Sequence, residues 1–152
     1  MSGSASGAPG AASLSYGRST TIVIVHPLAV GGRLDVPNVT GFSARQNVVK
    51  IDSKWLDGTH HFRDLPSGWT GEFDVDRGNS VLDDWTALCE QQWYAFGTIA
   101  TGTVYEYVAE SDGSVSTYQY SGATFDFDAG RRQGDSLVKQ KLTFRASKRV
   151  KV

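Results

Sequence analysis

The chain has one cysteine, Cys89, in 152 residues. It can form no disulfide within the chain and has no cysteine partner for a zinc site, so a protein that matures in a reducing cytosol fits best. No apolar run approaches the ~20 residues that carry a helix across a bilayer, which argues against a membrane protein. Catalytic signatures are missing too. The sequence has no G-x-S-x-G elbow, no glycine-rich phosphate loop before a helix, and no H-E-x-x-H pair. Histidines number three, and the adjacent His60 and His61 point to opposite faces of a strand, so they cannot chelate one ion together. Asp74, Asp76, Asn79, Asp83 and Asp84 resemble a calcium loop only in passing. Counted from Asp74, Gly78 falls at the fifth position and Trp85 stands where the twelfth needs a glutamate. These absences weigh against an enzyme and lead to the expectation of no catalytic residue, no cofactor and no metal.

What is present suits a single domain. Hydrophobic residues make up 39%, with four Trp, six Tyr and seven Phe. The first nineteen residues are mostly Gly, Ala and Ser and lack the basic start and apolar stretch of a secretion signal. They read as a flexible arm over 1–19, disordered in the free subunit and at least partly ordered in an assembly, ahead of one β domain over 20–152.

The net charge of −1 conceals a polarity. Residues 131–152 carry eight basic groups against Asp135, a balance of +7, and the rest of the chain carries −8. A scattered soluble surface, a nucleic-acid tail, or a basic end meeting an acidic face on a second copy would each fit.

Periodicity gives the elements. Residues 20–28 read as a β-branched strand ended by Pro27, and residues 31–44 as loops with short strand pieces. Residues 45–65 read as a hairpin turning at Leu56-Asp57-Gly58. In residues 69–76, Trp69, Gly71, Phe73 and Val75 share one face while Thr70, Glu72, Asp74 and Asp76 share the other, which predicts a half-buried strand. A helix over 80–96 follows, capped by Asn79 or Ser80, with Asp83 and Asp84 in its first turn. Its stripe runs Leu82, Trp85, Leu88, Cys89, Gln92, Trp93 and Phe96, and Gly97 ends it. A long hairpin pairs 99–109 with 115–127 through an Asp-Gly turn. The last strand, 137–147, sets Val138, Leu142, Phe144 and Ala146 inward and Lys139, Lys141, Thr143 and Arg145 outward. The fold class is α+β: a mainly antiparallel barrel or sandwich of about seven strands with one flanking helix.

Two stretches carry a resemblance. LPSGWTGEFDVDRGNSVLDDW (65–85) and VKQKLTFRASKR (138–149) resemble the central segment and last strand of bacteriophage tail tube proteins. The resemblance implies a β-barrel or sandwich with a flanking helix, related in fold to the type VI secretion tube protein. It implies six subunits joining sheets into a ring, and rings stacking into a hollow tube through which DNA leaves. The span 33–65 would supply a hairpin between rings. Partners would be the protein itself, tape measure, tail terminator, baseplate or tip, and a sheath if the tail contracts. DNA would pass without sequence-specific binding, and no membrane would be involved. Location would be the virion tail, after assembly in host cytoplasm.

On that reading Glu72, Asp74 and Asp76 line the lumen, since carboxylates let DNA slide where lysines would hold it. Lys139, Lys141, Arg145, Lys148 and Arg149 become candidates for contacts between subunits. The competing expectation for the acids is plain pairing with basic residues of the last strand. Two other functions stand beside the tube subunit: a monomeric module binding carbohydrate or protein through Tyr105, Tyr107, Tyr118 and Tyr120, and, last, an enzyme using the carboxylates.

Overall fold

Alternation of apolar and polar residues decides which face each strand buries, and here it builds two antiparallel sheets that share one strand. The computed structural model describes residues 16–36 and 38–152, so nearly all of the expected arm over 1–19 lies outside the described residues. The elements run β1 (Thr20–Val25), β2 (Arg33–Asp35), β3 (Val39–Lys54), β4 (His60–Asp76), α1 (Val81–Phe96), β5 (Gly102–Ala109), β6 (Val115–Asp128), β7 (Lys139–Ala146) and β8 (Lys148–Lys151).

The first sheet has the order β2-β1-β5-β6-β8 and the second β3-β4-β7-β6. The first part of β6, Tyr118–Ser121, pairs with β8, and the later part, Thr124–Asp128, pairs with β7. Gly122 stands between them at φ 64°, a conformation that only glycine adopts at little cost. A side chain there would also press on the Ser147 hydroxyl, 2.7 Å away. The matching break on the partner strand is Ser147, whose N–H donates to the Ser121 carbonyl at 2.9 Å. One bent strand thus joins an open sandwich. It does not close into a barrel.

The core lies between the sheets. Ile22, Ile24 and Val104 from the first meet Phe73, Val75, Leu142 and Phe144 from the second, all buried. Burying each such side chain stabilises the fold by about 1.5–3 kcal/mol. The Phe144 ring lies against the backbone of Gly71, where an added Cβ would stand 2.6 Å from Phe144 Cε1. Gly71 is therefore part of the packing.

α1 closes one side of the sandwich. Trp85 meets His26 of the first sheet's β1–β2 turn edge-on at 5.2 Å, and Phe125 of the second sheet at 4.9 Å. Only Leu82 and Trp85 of its stripe are buried. Cys89 and Gln92 are half-buried, while Leu88, Trp93 and Phe96 are exposed. At its start, Asn79 Oδ1 accepts the Val81 N–H at 3.1 Å. Ser80 caps no backbone group; its hydroxyl donates to Asp84 at 2.9 Å.

Three other expectations change. Residues 60–65 and 69–76 form one strand, not two, because Pro66 falls where β4 pairs only with β3, before its pairing with β7 begins at Trp69. β3 starts at Val39, inside the stretch expected to be loops and short strand pieces. Strand 137–147 continues past Ser147 as β8, and with β2 this raises the count to eight.

Candidate functional site

The outward face of the second sheet gathers the predicted acids. Glu72, Asp74 and Asp76 alternate along β4 with buried Gly71, Phe73 and Val75. Across the ladder, Asp74 lies opposite Lys141, Asp76 opposite Lys139, and Glu72 opposite Thr143. Lys139 Nζ reaches Asp76 at 3.0 Å and Lys141 Nζ reaches Glu72 at 3.7 Å. The acids are thus both half-exposed and partly countered, so the pairing reading holds within the subunit. Exposed pairs of this kind contribute about 0–1 kcal/mol each.

Two carboxylates belong to the same face although no sequence-based reading here singled them out. Asp126 lies opposite Thr143 and Asp128 opposite Lys141 on β7's other side, both exposed. Their signal was the alternation TFDFD, in which Phe125 and Phe127 face inward. With Arg45 on β3 and Arg145 on β7, which flank Thr70 on β4, the face carries five carboxylates against four basic groups. Its balance is −1. It is a mixed polar face with a small acidic excess.

The five basic residues divide. Lys139 and Lys141 pair with acids of their own chain, as above, while Arg145 and Lys148 are exposed. Arg149 turns inward instead. Its guanidinium lies 3.8 Å from the centre of the Tyr118 ring, its Nε donates to the Tyr120 hydroxyl at 3.0 Å, and Nη2 stands 3.7 Å from Glu106. Tyr120 itself donates to Glu106 at 3.0 Å. Burial, with the Glu106 charge beside it, pushes the phenol up to about 12. Of the four tyrosines suggested for a ligand-binding module, Tyr120 is therefore buried and Tyr118 lies against Arg149, leaving Tyr105 and Tyr107 stacked at 6.2 Å on the first sheet's outward face.

His26 is 1% exposed. Its Nδ1 accepts the Leu28 N–H at 3.1 Å, which leaves the ring proton on Nε2, 3.4 Å from the Ala100 carbonyl. Burial lowers its pKa, and burial raises that of Cys89, whose sulfur lies 4.0 Å from Nε2. A thiol held neutral in that way is a packing group. Among the described residues, no group of three or more His, Cys, Asp or Glu side chains is placed to hold a metal ion.

Among the described residues the second sheet also has two open edges, β3 on one side and the later part of β6 on the other. An open-edged antiparallel sandwich, one polar sheet face and one helix across the side define a fold also found in phage-tail-like injection assemblies. A chain of the PVC sheath/tube terminator of an extracellular contractile injection system, in the extended state, matches with TM-score 0.64 and 11% identity, over 87% of this chain and 93% of that one. A chain of the sheath-tube complex of an extracellular contractile injection system matches with TM-score 0.58 and 10% identity, over 87% and 88%. A chain of the tube-terminating cap of the anti-feeding prophage matches with TM-score 0.59 and 12% identity, over 87% and 87%. No protein-family model and no curated protein sequence matches the chain. The likeness is one of fold.

Proposed function

We propose that this protein is a structural subunit that polymerises, in stacked six-membered rings, into the hollow tube of a phage tail or phage-derived particle. The observation that carries the reading is the second sheet, with its polar outward face and two open edges, in a fold that chains of tube, cap and sheath assemblies share. In this reading β3 of one subunit pairs with the later part of β6 of the next, so that no edge stays exposed in the ring. The polar faces turn inward and line the channel. Carboxylates there outnumber basic groups by one, which disfavours retention of DNA, a polymer with one negative charge per ~1.7 Å of axis. DNA passes to the host without sequence-specific contacts, and the remaining partners are those that border a tube: tape measure, terminator, baseplate or tip, and a sheath in a contractile particle. The role needs no catalysis and no cofactor.

Negative-stain images of the concentrated protein test this. Rings or tubes are expected, and particles of monomer size at every concentration would reject the reading in favour of a monomeric binding module.

A further inference from the structure

Strand register lays the outward side chains of the second sheet in rows that cross β3, β4, β7 and the later part of β6. Glu72 and Asp126 stand in one row with Thr143, two carboxylates with no base. Asp74 and Asp128 flank Lys141 in the row beyond, and Asp76 lies beside Lys139 in the last. On the other side of the Glu72 row, Arg45, Thr70, Arg145 and Thr124 form a row with two bases and no acid. The acidic excess of the face is therefore unevenly spread. Basic charge without an acid is confined to one level.

The two arginines of that row are exposed and uncommitted. Arg33, Arg77 and Arg149 pair with acids, whereas neither Arg45 nor Arg145 has an ion-pair or hydrogen-bond partner among the described residues. They flank Thr70 from the two neighbouring strands, so their Cα atoms are about 10 Å apart and both side chains reach a group seated over Thr70. Thr70 is set to donate. Asn47, at the register shift between Gln46 and Val48, donates from Nδ2 to the Thr70 hydroxyl at 2.8 Å. That bond uses a lone pair of the oxygen and leaves its proton for a ligand. Arg45, Asn47 and Thr70 line a cavity of 310 Å³. Glu72 lines it too, but Lys141 Nζ stands 3.7 Å from that carboxylate.

Two guanidinium forks and a hydroxyl proton make a site of donors only, suited to an anion with several oxygens, phosphate above all. No outward residue in these rows is aromatic, so no base stacks here and contact is limited to the backbone. We propose that Arg45, Arg145 and Thr70 hold one phosphate of a DNA strand. The site rests on the channel reading above and fixes the level of the face at which the polymer is touched. Carboxylates of the next row meet the following phosphates, so the hold is brief and the face as a whole stays repellent.

Amide NMR spectra of the free subunit, at low salt and below the concentration at which rings form, test this with a thymidine tetranucleotide as probe. The tetranucleotide is expected to shift the amides of Arg45, Thr70 and Arg145, with an affinity that falls as salt rises. Arg45→Gln and Arg145→Gln should each weaken binding roughly fivefold, and Lys148→Gln, at an exposed base on β8, should leave it unchanged. No shifts in the unaltered protein, or the same affinity in the double arginine variant, overturns the proposal. So does a tetraglutamate peptide that binds equally well, or inorganic phosphate that binds where the tetranucleotide does not. The measurement is made on single subunits, so absent binding leaves the tube reading standing. Binding by a protein that never forms tubes upholds the site and sinks the tube.

Discussion

His26 joins the helix to the sandwich through its neutral form. Its Nδ1 already accepts the Leu28 N–H, so a second proton would set two donors against each other in a buried site. The titratable side chain beside it is Cys89, which burial keeps neutral, so it offers no negative charge in compensation. The folded pKa lies below the ordinary 6.5, so the unfolded chain binds the proton first. Stability from this site is whole above about pH 6.5 and is lost as pH falls below it toward the folded value. Thermal melts from pH 7.5 to 5 should therefore show a falling Tm, and His26→Asn, whose Oδ1 can take the same Leu28 N–H, should flatten the slope. An equal slope in both proteins would remove His26 as the cause. Gly71 gives a second expectation at this scale. Gly71→Ala presses a methyl on the Phe144 ring and should destabilise by about 1–3 kcal/mol, measured by urea unfolding.

Among the elements, α1 shows where sequence periodicity misleads. The stripe from Leu82 to Phe96 is continuous, and an amphipathic helix packed along its whole length on a core would bury all of it. Yet only Leu82 and Trp85, in its first two turns, are buried, and no local pattern encodes where the sandwich meets a helix. Trp85→Ala should cost about 3–5 kcal/mol, whereas Trp93→Ala, half-exposed in the subunit, should cost well under 1; comparable losses by chemical denaturation would contradict the helix placement. The strands were more legible. Period-two alternation in GEFDVD and KQKLTFRA assigns each residue its face, and the structure keeps those assignments. Tyr120 broke the pattern because the shift at Gly122 reverses the phase of β6, and a glycine in a strand signals a bulge without saying which way it turns. The acids' cross-strand partners follow from register, which only pairing fixes. Changing Glu72, Asp74 and Asp76 together to Lys sets lysines opposite Lys139 and Lys141, so Tm should fall while the fold survives. Tubes that still form should then bind DNA at low salt and release it as salt rises.

For the whole molecule, the proposed function predicts that charge acts on assembly more than on the fold. The lysine–carboxylate pairs Lys139–Asp76 and Lys141–Glu72 on the second sheet are closed within one subunit, while Arg145 and Lys148 are exposed. Light scattering should report slower assembly as salt rises from 0.1 to 1 M and the Debye length falls from ~10 to ~3 Å; rates indifferent to salt would exclude charge matching between subunits. The most direct test of the central claim is a cryo-EM reconstruction of the assembled protein. The account predicts a closed ring of second sheets, with β3 paired to a neighbouring β6 and Glu72, Asp74, Asp76, Asp126 and Asp128 facing the channel. A tube with these five carboxylates on its outer wall would contradict it.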